Sequence, residues 1–303
     1  VTANEELARR VLREVRQDGR ASYTGIANRL GMPRQLVATI VEDAVREQRI
    51  RLTATVSPDL LGITRYSYLL IQSSGPSGPI LDALNAMPET CFVSALAGTA
   101  GVDAEVRVGS DADHQRVLGE IRSIPGVSGI SCNVYERIFV NIDSPLPDPA
   151  AASLRIDQVD RGIIAALEHN GRATFRELGA AGGVSPASAR NRLHRLLQNR
   201  AVKVVGLPVR DHQVGPPPLG LGIRIRGELT ADIIDRVCTV APEFLASSSG
   251  SYDLISTISA ETPEGQLAKL DALRRIEQVA LVDAWSHLRI TKELYGLSAL
   301  VIG

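Results

Sequence analysis

The residues best suited to chemistry form one dense run, Gly182-Gly183-Val184-Ser185-Pro186-Ala187-Ser188-Ala189-Arg190-Asn191-Arg192-Leu193-His194-Arg195-Leu196. Val184, Ala189, Leu193 and Leu196 recur at helical spacing as an inward face, leaving Ser185, Ser188, Arg190, Asn191, Arg192 and Arg195 on the outer face and flanks. Arginine can meet guanine bidentately and asparagine can meet adenine, while serines and further arginines suit phosphate oxygens. Ser185-Pro186 marks the helix start, with serine as N-cap and proline first in the helix. Small residues at Ala187 and Ser188 let that start approach a base closely. The competing reading is an ordinary amphipathic helix with a solvated charged face. Elsewhere the reactive types are scattered. His114, His169, His194, His212 and His287 lack metal-ligand spacing, and Cys91, Cys132 and Cys238 form no C-x-x-C pair and are read as buried thiols. No Walker loop, G-x-S-x-G elbow or catalytic Cys/His signature appears, so no metal, no cofactor and no enzymatic activity is expected.

The elements that position this run occur twice. Val11 to Tyr23 aligns with Ile163 to Phe175 at a shift of 152, and the shift holds without a gap through Ile26/Leu178, Val41/Leu193, Val45/Leu197 and Ile50/Val202. The 303 residues are therefore a tandem duplication of a unit of about 150. In each copy the first part reads as three short helices: Glu5–Asp18, Ser22–Leu30 and Pro33–Gln48, then Gln158–His169, Thr174–Gly179 and Ser185–Asn199. The rest of each copy reads as β-α-β-β-α-β, a ferredoxin-like arrangement with both helices on one face of the sheet. The expected organisation is a helix-turn-helix domain at 1–52, a ferredoxin-like domain at 53–142, a proline-rich, semi-extended linker at 143–154, a second helix-turn-helix at 155–204 and a second ferredoxin-like domain at 205–303. The fold class is α+β, and a second copy is the natural cover for the open face of each sheet.

A net charge of -1 taken as a whole argues against a polyanionic partner, but its distribution does not. Residues 1–52 carry 10 arginines against 7 acids, and residues 155–204 carry 9 basic residues against 4 acids. The β-α parts reverse the sign, with 5 basic against 11 acidic residues in 53–154 and 9 against 12 in 205–303. Basic heads on acidic bodies suit double-stranded DNA as a partner of the heads alone. No apolar run reaches the roughly 18–20 residues of a membrane span. The first residues lack the basic and apolar segments of a secretory signal, so a cytoplasmic location is expected.

The second copy resembles the leucine-responsive regulator/AsnC family. The resemblance is carried by Asp160-Arg161-Gly162-Ile163-Ile164-Ala165-Ala166-Leu167, by Asn170-Gly171-Arg172, and by Gly183-Val184-Ser185 through Arg192-Leu193. It implies a winged helix-turn-helix joined to an effector and oligomerisation domain, with Arg192 at the family's recognition-helix arginine. The first copy departs from the pattern: Pro33 replaces the serine and Ile40 falls at the arginine position. Arg34, Gln35 and Thr39 remain for DNA, and the heads are expected to be unequal, the first limited to phosphate contact or to packing.

The resemblance also implies a small-molecule effector, commonly an amino acid, bound near a glycine loop between the second and third strands of paired effector domains. The pattern G-x-[YF]-D appears as Gly250-Ser251-Tyr252-Asp253, preceded by Ser249. Serines and backbone N–H groups there suit a carboxylate and Asp253 suits an ammonium group; the competing reading is a β-turn whose Asp satisfies its own backbone. The first copy offers Gly98, Gly101 and Asp103 without the aromatic residue. The function implied is a ligand-responsive transcription regulator in which one chain forms a pseudo-dimer and further chains build a homo-oligomer. Two alternatives stand beside it: a siroheme-decarboxylase-like enzyme, for which His287 with Arg224 or Arg289 is the candidate grouping, and a non-specific architectural DNA-binding protein. Trp285 is expected to pack at the module interface or to wall a pocket.

Overall fold

A computed structural model describes residues 3–209 and 216–297; His212 lies outside them. The first copy runs α1 (Ala3–Gln17), α2 (Tyr23–Leu30), α3 (Arg34–Arg46), β1 (Ile50–Val56), a short 3-10 turn, β2 (Arg65–Ser73), α4 (Gly78–Ala86), β3 (Thr90–Ala97), β4 (Val102–Val108), α5 (Asp111–Arg122) and β5 (Val127–Asn141). After α6 (Pro149–Ser153), the second copy repeats the order as α7 (Gln158–His169), α8 (Phe175–Gly182), α9 (Pro186–Gln198), β6 (Val202–Pro208), β7 (Leu219–Ile225), α10 (Ala231–Cys238), β8 (Phe244–Ser249), β9 (Leu254–Ile258), α11 (Pro263–Arg274) and β10 (Val279–Glu293).

The described residues divide into two compact units that cut across the repeat: one gathers both heads, with residues 3–61 and 142–209, and the other both bodies, around 62–141 and 216–294. In the head unit, Val11, Val15, Ile26, Val37 and Val41 build the first core, and Ile163, Ile164, Leu167, Leu178, Leu193 and Leu196 the second. Burying each such side chain contributes about 1.5–3 kcal/mol. The sequence reading names neither β1 nor β6, yet these strands join the heads as an antiparallel pair from Ile50↔Pro208 to Val56↔Val202. Thr53 lies opposite Val205, its own counterpart under the shift of 152, so a pseudo-two-fold axis passes through the centre of the pair. The segment expected as a semi-extended linker contains α6, because Asp148 caps it, Pro149 starts it, and Ala151 is buried against the second head's core.

In the body unit the two β-α-β-β-α-β halves close on each other as an eight-stranded barrel, in the order β10-β3-β4-β2-β5-β8-β9-β7. The joints are β10 with β3 and β5 with β8, so edge pairing between copies leaves no open strand edge. Leu69, Ile71, Val93, Val102 and Val106 pack with Ile80, Leu84, Val117 and Ile121 of α4 and α5. Strand alternation turns the intervening Asp103, Glu105 and Arg107 of β4 to the opposite face, where all three are buried. Among the described residues no helix is long and apolar enough to cross a membrane.

Candidate nucleic-acid interface and the body loops

The second head is capped at every turn of its helix-turn-helix. Asp157 and Asp160 form a capping box on α7, and Thr174 and Glu177 form another on α8. Gly183 ends α8 at φ +68°, a left-handed conformation that favours glycine. Ser185 then caps α9, accepting from Ser188 N at 3.2 Å, so its hydroxyl is already engaged.

The basic residues of α9 separate into two groups. Arg192 donates to both oxygens of Asp157 at 2.8 Å and to Asp160 at 3.0 Å, and Arg195 donates to the other oxygen of Asp160 at 2.5 Å. Asp160 is fully buried, so these two arginines bind the recognition helix to the start of α7. The Asp157 carboxyl is held below its usual range by its backbone hydrogen bond in the capping box and by Arg192. Arg190 and Asn191 are exposed and make no side-chain hydrogen bond among the described residues, and Ser188 is half-buried. Phe175, Pro186, Ala187, Arg190, Asn191 and His194 line an open recess of about 440 Å³. By residue type Arg190, Arg192 and Arg195 are alike; tertiary contact with α7 separates Arg192 and Arg195 from Arg190.

The first head differs at the same positions. Arg34, Gln35 and Thr39 are exposed on α3, and Pro33 gives the helix no side-chain cap. Ile40, the counterpart of Arg192, packs against the first head's core. Asp43, the counterpart of Arg195, pairs with Arg46 at 2.6 Å. No arginine-to-α1 tie of the kind seen in the second head is possible from these side chains.

In the body, Gly250 adopts φ +155°, where a Cβ would lie 2.4 Å from Cys132 O. The N–H groups of Ser251 and Tyr252, expected to suit a carboxylate, donate instead to Asn133 Oδ1 at 2.9 and 3.2 Å. Asp253 accepts from Ile225 N at 2.7 Å, Tyr252 Oη donates to Asp283 at 2.8 Å, and Ser249 donates to Glu136. In the first copy, Leu96 N bonds Gly101 O as Ser248 N bonds Asp253 O. Gly101 is therefore the counterpart of Asp253, and Gly98, at φ +151°, that of Gly250.

Asp103 lies two residues beyond this loop, inside β4, where it takes the place of Ile255. It is fully buried and accepts from Tyr68 Oη; Trp285 Nε1 donates to Tyr68 Oη at 2.8 Å, and His287 Nδ1 lies 3.3 Å from Asp103 Oδ2 and 3.1 Å from Ser94 Oγ. Burial pushes the Asp103 carboxyl up to about 8, against the pull of the Tyr68 hydrogen bond. Burial likewise holds the Tyr68 hydroxyl well above its ordinary value. The cluster occurs once per chain: Tyr68, Ser94, Trp285 and His287 have Gly220, Ala246, Asn133 and Tyr135 as counterparts. Of the histidine-arginine grouping expected for an enzyme, His287 is buried, whereas Arg224, which donates to Ser251 O at 2.8 Å, and Arg289 are exposed. Among the described residues there is no group of three or more potential metal-ligating side chains.

Residues 156–197 match the AsnC-type helix-turn-helix domain, and residues 5–51 match a winged helix-turn-helix DNA-binding family. An uncharacterized HTH-type transcriptional regulator of Pyrococcus abyssi (strain GE5 / Orsay) is 24% identical over 146 residues, covering 45% of this chain and 92% of that protein. The HTH-type transcriptional regulator FL11 of the same organism is 25% identical over 128 residues, covering 41% of this chain and 84% of that protein. The crystal structure of the siroheme decarboxylase NirDL, in complex with an iron-uroporphyrin III analogue, superposes with a TM-score of 0.60 at 12% identity, over 94% of this chain and 92% of that one. At that identity the likeness shows the fold alone. It nevertheless overturns the expectation of no enzymatic activity, since an enzyme is built on this architecture from end to end; the absence of familiar catalytic motifs was no ground for that expectation. Two helix-turn-helix matches on a duplicated head-and-body plan, with half-length transcriptional regulators similar to one copy, make both heads helix-turn-helix domains and the second one of the AsnC type.

Proposed function

We propose that the protein is a sequence-specific transcription regulator whose second head reads duplex DNA through α9, with the first head making weaker contacts. The observation that carries this reading is the division of labour on α9. Arg192 and Arg195 brace the helix from behind while Arg190 and Asn191 stand exposed at an open recess, with the donors needed for guanine and adenine edges. The exposed Arg34, Gln35 and Thr39 supply the contacts of the first head. The test is selection of duplexes from a random library by the intact chain, followed by affinity measurements on the selected duplex. Arg190→Ala and Asn191→Ala each lower affinity by about 5- to 150-fold, the equivalent of ~1–3 kcal/mol per base contact. Binding to the selected duplex no tighter than to random duplex would leave only the architectural reading.

The body takes a small-molecule effector, an amino acid or related metabolite, at the loop Ser249-Gly250-Ser251-Tyr252-Asp253, where Asn133 holds the backbone in place and Tyr252 and Asp253 lie at the rim. The loop with Gly98 and Gly101 is the reduced counterpart. Chains associate further through their bodies. A thermal-shift panel of amino acids tests the first statement, because a ligand of the native state raises its stability. Light scattering at micromolar concentration tests the second, and a strict monomer would refute it.

A second reading, an enzyme of the siroheme decarboxylase kind, is favoured by the whole-chain likeness together with the buried cluster of His287, Asp103 and Tyr68. Absorbance of bound tetrapyrrole after incubation with siroheme, and its turnover, would select it.

A further inference from the structure

Two short segments of the repeat, Asp18-Gly19-Arg20 and Asn170-Gly171-Arg172, do not touch the recess on α9 through their own side chains, yet they exchange contacts across the axis between the heads. Gly19 N donates to Val204 O and Gly171 N to Leu52 O, both at 2.8 Å. Arg20 Nη1 donates to Gly171 O at 2.7 Å and Ala173 O at 3.1 Å, while Arg172 Nη2 donates to Ala21 O at 2.8 Å. The guanidinium of Arg20 lies over the Phe175 ring at 5.8 Å, and that of Arg172 over the Tyr23 ring at 4.4 Å. Every member maps on its opposite number by the shift of 152 that relates Thr53 to Val205. Gly171 is sterically required, since a Cβ there would sit 2.9 Å from Leu52 C and Thr53 N, and Gly19 is tightly packed, since a Cβ there would lie 3.1 Å from the Val205 backbone.

We propose that Arg20 and Arg172, with their glycines, are positioning residues that hold α3 and α9 as a rigid pair and so fix the spacing between the two DNA contacts. This rests on the reading of the heads as DNA-binding. The β1–β6 ribbon is packed into both heads, with Ile50 and Leu52 in the first head's core and Ala54 and Val56 in the second's, yet a two-stranded ribbon is prone to twist along its length. The two arginine exchanges, one on each side of the axis, add ties that resist twisting of one head against the other. The first head thus matters to recognition even where its own base contacts are weak.

The experiment uses the intact chain and a duplex it selects from a random library, with base pairs then inserted between the two contacted segments. An insertion of 2–3 base pairs displaces one segment by roughly 7–10 Å along the helix and turns it by roughly a quarter of a revolution, which a rigid pair cannot follow. Wild type is expected to lose at least about tenfold in affinity on such insertion, and the Arg20→Ala/Arg172→Ala variant less than about threefold. Affinity for a duplex carrying the second-head segment alone stays within about twofold. If the double variant does not fold, as judged by its melting transition, Arg20→Lys is measured instead. It keeps the charge and loses the planar fork, and the same flattening is expected. An unchanged spacing profile in the folded variant overturns the proposal. Wild type that binds the selected duplex with no spacing preference also overturns it, whereas wild type that prefers no duplex refutes the DNA reading on which it rests.

Discussion

The buried carboxyl of Asp103 makes the stability of the body unit depend on pH in a direction opposite to that of an ordinary salt-bridged acid. Burial raises it from 3.8 to about 8. Between those values the native state keeps a proton that the unfolded chain releases, so stability is full at acid pH and is lost as pH rises toward 8. At about 1.4 kcal/mol per pH unit, the whole window is worth on the order of 5 kcal/mol. The single tryptophan, Trp285, donates to Tyr68 within the cluster itself, so its fluorescence follows unfolding of the unit concerned. With a urea dependence of about 1–3 kcal/mol per molar, the unfolding midpoint falls by roughly 0.5–1.4 M per pH unit between pH 5 and pH 8. Asp103→Asn keeps an acceptor for Tyr68 and removes the titration, and its midpoint is expected to stay nearly flat. A flat profile in wild type, or an unchanged slope in Asp103→Asn, would refute the reasoning.

Other outcomes follow from the same contacts. Arg192→Ala lowers the melting temperature of the head unit, because Asp160 is buried and loses one of its two arginines; Arg190→Ala leaves it unchanged, and thermal denaturation of the two variants side by side separates bracing from reading. Gly171→Ala forces a Cβ against the Leu52 and Thr53 backbone and costs about 1–3 kcal/mol, measured by denaturant unfolding. Asp253→Ala removes the acceptor of Ile225 N, costing about 1 kcal/mol of stability. It leaves affinity for the selected duplex intact while abolishing any amino-acid-induced thermal shift.

The helices, the strands of both bodies and the duplication are legible in the sequence because each is written locally: apolar residues at helical or alternating spacing, Ser185-Pro186 as a start, glycines at the turns. The candidate site was legible by residue type and not by role. Nothing within α9 distinguishes Arg190 from Arg192, since the difference is made by Asp157 and Asp160, more than thirty residues earlier in the chain. Asp103 reads both as the end of the loop with Gly98 and Gly101 and as the start of a strand over 103–108; only the ladder with β3 and β2 turns its side chain into the interior, away from that loop.

What the sequence determined by itself is the plan of two basic heads and two acidic bodies, because periodicity and charge are properties of adjacent residues. What the tertiary structure alone decided is how the copies combine: head with head through β1 and β6, body with body through the closed barrel. Backbone hydrogen bonds between strands carry no residue-specific signal, and the groups they bring together across the copies stand roughly 100 to 200 positions apart, so which partners meet is settled only when the whole chain has folded.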